Sequence, residues 1–333
     1  MTKNETPSLF SALLIGLYVN VMLRNTTGYW AQWGLLSIPF SSAILSAFGW
    51  LFARCWRAWP NWLFRWSLAA VLAFSSSLEV LRLWKLSAQL YPETITFLSL
   101  CVMVLLPVLY LRRVSAIAQT ANVLAALLFA AGLLMLLSIL PRLRLEHLQT
   151  PPMEWDGLWR TAKAQIVLYP EYLLSALWPE QDKRGSHTLG RLSVLAVGLD
   201  AGAHLVLELF FGAAMPDRLD PIHAAARSGA LSIFNRLEWL QLLLWTMAVS
   251  VKLALYLYAM FRLCGVQGQK GTAVALERYP IYLAGMLLLC ALLRKTDVQQ
   301  ALQWRNRAVW ALAAAVWIGG GIAWVIQKQQ KNA

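Results

Sequence analysis

The sequence predicts an all-α polytopic membrane protein, and three observations predict it. Hydrophobic residues fill 59% of the 333 positions and charged residues only 14%, against about 45–50% and 25% in soluble domains. The apolar residues fall in long runs, and a helix crosses the hydrocarbon with about 20 of them. The Lys and Arg residues behind the net charge of +13 sit almost entirely between those runs, where membrane loops place them. A soluble enzyme, a disordered chain and a fibrous protein are excluded. The basic balance reads as anchoring to lipid headgroups, with no nucleic acid implied.

Ten candidate spans follow in order. Five are clear: Leu9–Leu23, Gly34–Ala53, Thr94–Leu111, Thr120–Leu140 and Ala308–Ile326. Five are less pure: Trp66–Leu83, Lys163–Trp178, Leu189–Phe211, Glu238–Phe261 and Tyr279–Leu293. Trp residues cluster near run ends, as in Trp30, Trp33, Trp50, Trp56, Trp59, Trp62 and Trp66, which suits rings that prefer the headgroup level. Met1 to Pro7 is polar, and no small-residue cleavage site follows the first run. Lys and Arg divide evenly between the two sides, so charge alone does not orient the chain. Two connections are long. Pro141 to Ala162 and Gly212 to Leu237 lie on the same side in a ten-span chain, and the latter carries a short helical stretch near Ala224–Arg227.

An ionisable residue at membrane depth costs at least about 2.5–3.5 kcal/mol on insertion scales, so each one needs a reason. Lys252 sits midway along Glu238–Phe261. It reads either as a fixed or titrating cation beside a pathway, or as a structural partner of a carboxylate on a neighbouring helix. Asp200, His204 and Glu208 recur every four residues, which stacks them on one helix face. They read either as a proton-relay stripe or as a polar seam paired to Lys252 or Arg82. Gly198 and Gly202 on the same run form a small-residue pair that favours close packing.

Pro170 precedes Glu171 in the middle of Lys163–Trp178. Proline removes a backbone donor and interrupts the helix. A carboxylate at a break inside a span is a pointer to a midplane binding site; the bland alternative is a kink with a locally satisfied Glu. Tyr169 belongs to the same break. Glu79 and Arg82, three apart near the end of Trp66–Leu83, read as an intrahelical pair at the interface. Gly16 and Asn20 mark a possible unwound point in the first span.

No nucleophile elbow, metal-ligand helix, phosphate loop or paired-carboxylate pattern is present, so no enzyme, metal or cofactor is expected. Cys55, Cys101, Cys264 and Cys290 are far apart, with no CxxC. Tyr91-Pro92-Glu93-Thr94 and Asn235-Arg236-Leu237-Glu238 read as helix-entry punctuation, with a carboxylate suited to a helix N-terminus.

Taken in order, these segments resemble the spore germination permease family, the B subunits of nutrient germinant receptors, in the amino acid–polyamine–organocation superfamily. The resemblance rests on Leu81-Arg82-Leu83 with Tyr91 to Thr94, and on Arg112-Arg113 running to Gln119. It continues through Pro151-Pro152, Glu154 to Leu158, Tyr169-Pro170-Glu171 and Trp178-Pro179, and ends with Arg236-Leu237-Glu238, Trp245, Lys252 and Tyr256. It covers roughly Trp66 to Leu263. Two departures stand out: the bulky Gly16-Leu17-Tyr18-Val19-Asn20 where related transporters carry a small-residue break, and the Gly319-Gly320-Gly321 triplet.

The resemblance implies a LeuT-like five-plus-five inverted repeat with broken first and sixth helices and both termini cytoplasmic. The first repeat would span about residues 9–140, the outer loop 141–162, the second repeat 163–293 and the final helix 308–326. The reading that joins this to the residues is a small germinant, amino acids above all, bound at the helix breaks, with Gly16, Asn20, Tyr169, Pro170, Glu171 and Lys252 as candidate binding residues and Asp200, His204 and Glu208 as a coupling or polar seam. The resemblance further implies an A-type membrane subunit and a C-type lipoprotein as partners, in the inner membrane of a dormant spore. The alternative expectation is a stand-alone proton-coupled permease for amino acids or amines.

Overall fold

The computed structural model describes residues 9–22, 31–58, 61–90, 96–148, 154–176, 185–212, 221–228, 237–265 and 279–332. The segments Tyr91 to Thr94, Pro151-Pro152, Trp178-Pro179 and Asn235-Arg236 lie outside them, as do Trp30 and Trp59. Among the described residues the chain forms helices and no strands. In chain order these are α1 (Phe10–Met22), α2 (Ala31–Leu36), α3 (Ile38–Ala58), α4 (Trp62–Leu90), α5 (Phe97–Tyr110) and α6 (Val114–Ile139). Then come α7 (Trp155–Gln165), α8 (Pro170–Ala176), α9 (Gly185–Phe211), α10 (Pro221–Ser228), α11 (Leu237–Leu263), α12 (Tyr279–Leu293) and α13 (Val298–Asn332).

Six of these are long and apolar enough to cross a membrane: α3, α4, α6, α9, α11 and α13. The chain is an all-α, multi-pass membrane protein. Three shorter apolar helices, α1, α5 and α12, accompany them.

Helix α11 is the axis of the molecule. It is apolar over most of its surface, as a helix largely enclosed by others must be, and Ala248 to Phe261 is buried without interruption. Helices α1, α4, α5 and α6 pack around it. Helix α13 lies against α3 and α4, and α9 lies against α1, α2 and α3. The outer faces of α5, α6, α12 and α13 present large apolar side chains such as Leu98, Phe129, Ile281 and Ile318 to the surroundings. In water such a surface would aggregate; in a bilayer it is solvated by lipid tails.

Several serines inside these helices are satisfied locally, as a bilayer favours. On α4, the hydroxyls of Ser75, Ser76 and Ser77 donate to the carbonyls of Val71, Leu72 and Ala73, one turn back. Ser77 also donates to the Met286 carbonyl on α12, and the Cys290 thiol donates to the Ser77 carbonyl. These bonds tie α12 to α4. Gly320 on α13 sits where a Cβ would collide with the Cys55 carbonyl of α3, so the glycine sets how closely those two helices approach.

Several sequence expectations are corrected. The first helix runs unbroken through Gly16 and Asn20 from Phe10 to Met22, so neither residue marks an unwound point. The bulky Leu17, Tyr18 and Val19 keep ordinary helical backbone there. Helix α4 runs to Leu90, seven residues beyond the expected end, because Lys85 and Gln89 dilute the apolar run without ending the helix. The final helix starts at Val298 instead of 308. The segment expected to be loop up to residue 162 is helical from Trp155, as an amphipathic turn sequence that hydropathy does not see. Gly198 and Gly202 make no tight contact: a Cβ at either would meet nothing within 4 Å. The short helix expected near Ala224–Arg227 is present as α10.

Candidate functional site: a buried charge network at a helix break

The expected interruption is present. Helix α7 ends at Gln165, α8 starts at Pro170, and residues 166–169 between them are not helical. The cause is local. Pro170 has no N–H to offer the preceding turn and occupies the first position of α8, which tolerates proline. Proline also steers Tyr169 away from helical backbone, and β-branched Ile166 and Val167 add to the tendency. Glu171 is the only acid in the first turn of α8.

The break is clamped from the side. Gln165 donates from Nε2 to the Gly34 carbonyl at 3.0 Å. Its Oε1 accepts from the hydroxyls of Ser37 at 2.7 Å and Ser41 at 3.0 Å. Ser37 is itself the joint between α2 and α3, just before Pro39. Two interrupted helices are thus pinned to each other by one buried glutamine.

Beyond the break, Glu171 enters a network built from five helices. Its Oε1 accepts from the Tyr256 hydroxyl of α11 at 2.6 Å, and its Oε2 accepts from Asn20 Nδ2 of α1 at 2.9 Å. Lys252 Nζ, also on α11, lies 3.4 Å from Oε1. Lys252 in turn donates to Glu79 Oε1 of α4 at 2.8 Å and to Asn20 Oδ1 at 2.9 Å. Arg305 of α13 donates from Nη1 to Asn20 Oδ1 at 3.0 Å and to Glu79 Oε1 at 3.3 Å. Arg82 closes the circle at 3.4 Å from Glu79 Oε2. The Arg305 guanidinium also stands over the Tyr169 ring, 5.5 Å from its centroid, within cation–π range.

Two carboxylates and three cations therefore alternate around Asn20. The asparagine uses both ends of its amide, donating to Glu171 and accepting from Lys252 and Arg305. Glu79, Glu171 and Lys252 are fully buried, and Asn20 and Arg305 nearly so. At that depth the effective dielectric is low and each unpartnered charge would be expensive, which explains why every acid oxygen has a donor. Gly16 is needed for the fit. A Cβ there would stand 2.7 Å from Glu171 Oε1 and 2.8 Å from its Cγ.

All six residues expected at a binding site come together: Gly16, Asn20, Tyr169, Pro170, Glu171 and Lys252. Lys252 has the carboxylate partners on neighbouring helices that one of its two readings called for. Glu79 and Arg82 do pair, but in the middle of α4 and in the centre of the network, so the expectation of an interfacial pair is corrected. Glu79 and Arg305 are the central residues that sequence reasoning missed, and Tyr256 entered only through the family resemblance.

Asp200, His204 and Glu208 form a buried seam on α9. His204 Nε2 is 4.0 Å from Glu208 Oε2, and Glu208 Oε2 accepts from the backbone N–H of Ala31, the first residue of α2, at 2.7 Å. A carboxylate suits that helix start. Of the expected partners of the seam, Lys252 or Arg82, Lys252 bonds to Glu79, Asn20 and Glu171. No protein-family model matches the chain, and a search of curated proteins returns no match.

Proposed function

We propose that this chain is a transporter-like subunit of a spore nutrient germinant receptor, binding a small germinant of the amino acid class at the α7–α8 break. The single observation that carries this reading is the discontinuity at residues 166–169, with Glu171 entering a five-helix network of alternating charge. The network is complementary to a zwitterion. Glu79 and Glu171 match an ammonium, and Lys252 and Arg305 match a carboxylate. In the present arrangement these groups satisfy one another and are closed to solvent, so a ligand enters by exchanging partners with them. It shifts the conformational balance only by its difference in affinity between the closed and opened states.

In this reading α1, α5, α12 and the interrupted α7–α8 pair complete ten spans, arranged as a five-plus-five inverted repeat of the LeuT type. The partners are an A-type membrane subunit and a C-type lipoprotein in the spore inner membrane. Support comes from the ordered resemblance and from Arg82, Tyr169, Glu171, Lys252 and Tyr256, residues it rests on that meet in one network.

A second reading, a stand-alone proton-coupled amino acid or amine permease, is favoured by the buried carboxylates Glu79 and Glu171 and by the α9 seam. One experiment separates the two. Spores lacking the gene are exposed to amino acids, sugars and nucleosides, and purified protein in proteoliposomes is assayed for uptake driven by a pH gradient. Loss of germination to particular amino acids, restored by wild type and not by Glu171→Gln, supports the receptor. Unaffected germination together with gradient-driven uptake supports the permease. Neither result in the presence of folded protein refutes both.

A further inference from the structure

A second polar feature lies about 9 Å along α4 from Glu79, taking 1.5 Å per residue. Trp84, Lys85 and Ala88 of α4, with Arg294 and Lys295 of the α12–α13 turn, line an open groove of about 630 Å³. Sites for small ligands span about 300–1,000 Å³. The groove is held in shape from within. Lys85 Nζ donates to the Thr296 carbonyl at 3.0 Å, which fixes the turn against α4. The Arg294 guanidinium lies over the Trp84 ring, 5.0 Å from its centroid, and that ring packs edge-on against Phe97 of α5 at 5.5 Å.

Three cations thus meet in one concavity. Among the described residues no carboxylate forms an ion pair with Lys85, Arg294 or Lys295. Asp297, the acid next in the chain, accepts from the backbone N–H of Gln299 at the start of α13, at 3.3 Å. Lys85 spends one of its three donors on Thr296 and retains two. Arg294 stacked on an indole keeps the edge of its guanidinium fork for a bidentate acceptor. A site with a fork and two ammonium groups matches the several oxygens of a phosphate better than the two of a carboxylate.

The position says which phosphate. The groove opens where the apolar run of α12 ends, at Leu293, and before α13 begins at Val298. Leu292, two residues before Arg294, and Leu98, next to the Phe97 that packs on Trp84, are both exposed apolar side chains. Trp84 has the amphipathic character of residues at the headgroup level. The geometry points to a binding site for the phosphodiester headgroup of an anionic phospholipid, with its acyl chains along Leu98 and Leu292. Basic pockets between membrane helices take such headgroups elsewhere. This site is independent of the charge network and of the function proposed for it.

The test is lipid retention. Delipidated protein in neutral detergent is titrated with phosphatidylglycerol, with phosphatidylcholine, or with inorganic phosphate, and intact complexes are weighed by native mass spectrometry alongside melting curves. Wild type is expected to retain phosphatidylglycerol preferentially. Removing two cations with Arg294→Ala and Lys295→Ala together is expected to lower that preference about thirtyfold, at about one kcal/mol per basic residue. Both side chains are exposed, so the lipid-free melting temperature stays within that of wild type. The charge-keeping pair Arg294→Lys with Lys295→Arg is expected to retain the preference. An unchanged preference in the Ala pair overturns the site, and so does loss in the charge-keeping pair equal to that in the Ala pair. Stabilisation by inorganic phosphate matching that by phosphatidylglycerol overturns the lipid as its occupant.

Discussion

Replacing Lys252 with Met tests whether the five-helix network is an energetic unit. Methionine keeps an unbranched side chain of similar reach and removes the charge. Lys252 Nζ stands 2.8 Å from Glu79 Oε1, 2.9 Å from Asn20 Oδ1 and 3.4 Å from Glu171 Oε1. Deleting one partner of a buried pair typically costs about 3–5 kcal/mol, because the other charge is stranded. Glu79 is not stranded here, since Arg82 and Arg305 remain within 3.4 Å and 3.3 Å. Glu171 keeps two neutral donors, Tyr256 and Asn20, and loses the one cation within ion-pair reach among the described residues. The expected loss is therefore at the lower end, about 3 kcal/mol. Adding Glu171→Gln removes the stranded charge. The double variant should then be more stable than the sum of the single effects by about 2 kcal/mol, a coupling normal for residues in one network. Denaturant unfolding in detergent, on all four proteins, measures the cycle. A Lys252→Met variant within about 0.5 kcal/mol of wild type, the range of inconsequential surface changes, refutes the reasoning. So do strictly additive effects.

Three further outcomes follow from local geometry. Gly16→Ala puts a methyl group against Glu171 Oε1 and Cγ; overpacking of this kind costs about 1–3 kcal/mol, and the variant should also lose the ligand response, checked by melting and by binding on the same sample. Gln165→Leu strands the Ser41 hydroxyl and leaves the Ser37 hydroxyl and the Gly34 carbonyl with only each other; a loss of about 1–3 kcal/mol is expected from an unsatisfied buried group, with faster proteolysis between α7 and α8 as the confirming readout. Gly320→Val should lower the melting temperature by forcing α13 away from the Cys55 carbonyl of α3, whereas Gly321→Ala, with open space at its Cβ, should leave it unchanged.

The residues that sequence reasoning found and those it missed differ in how their helices look to hydropathy. Lys252 stands alone in a long apolar run, so its depth is visible. Pro170 announces a break by stereochemistry alone, and Glu171 follows it directly. Glu79 was hidden by its neighbour. With Arg82 three residues on, it offers a complete local explanation, and the polar residues after Leu83 made α4 look as though it ended there. Arg305 was hidden by Asn306 and Arg307, a cluster that reads as loop. A different signal was available. Ala301, Arg305, Val309, Leu312, Ala313 and Val316 are all buried, and they recur at three- and four-residue intervals. That spacing extends the apolar face of the last helix backwards through Arg305. Helix α7 went unseen because its sequence, Trp155–Gln165, carries too few apolar residues for a span search. The partnership of Gln165 with Ser37 joins residues 128 apart in the chain, and nothing local encodes it.

The network is a poor device for stability. Each ionisable side chain at bilayer depth carries an insertion cost of at least about 2.5–3.5 kcal/mol, and well-packed apolar residues commonly match or exceed a buried ion pair in stability. Helices α1, α4, α11 and α13 already pack through apolar contacts along their lengths, so charges are not required to hold them together. What the charges add is selectivity for one arrangement: α8 sits where Glu171 reaches Asn20 and Tyr256, and α13 sits where Arg305 reaches Glu79. An all-apolar replacement of Glu79, Arg82, Glu171, Lys252 and Arg305 should accordingly fold at least as stably as any single charge deletion while losing every ligand response. If such a variant kept the response, the network would be packing material and the site would have to lie elsewhere.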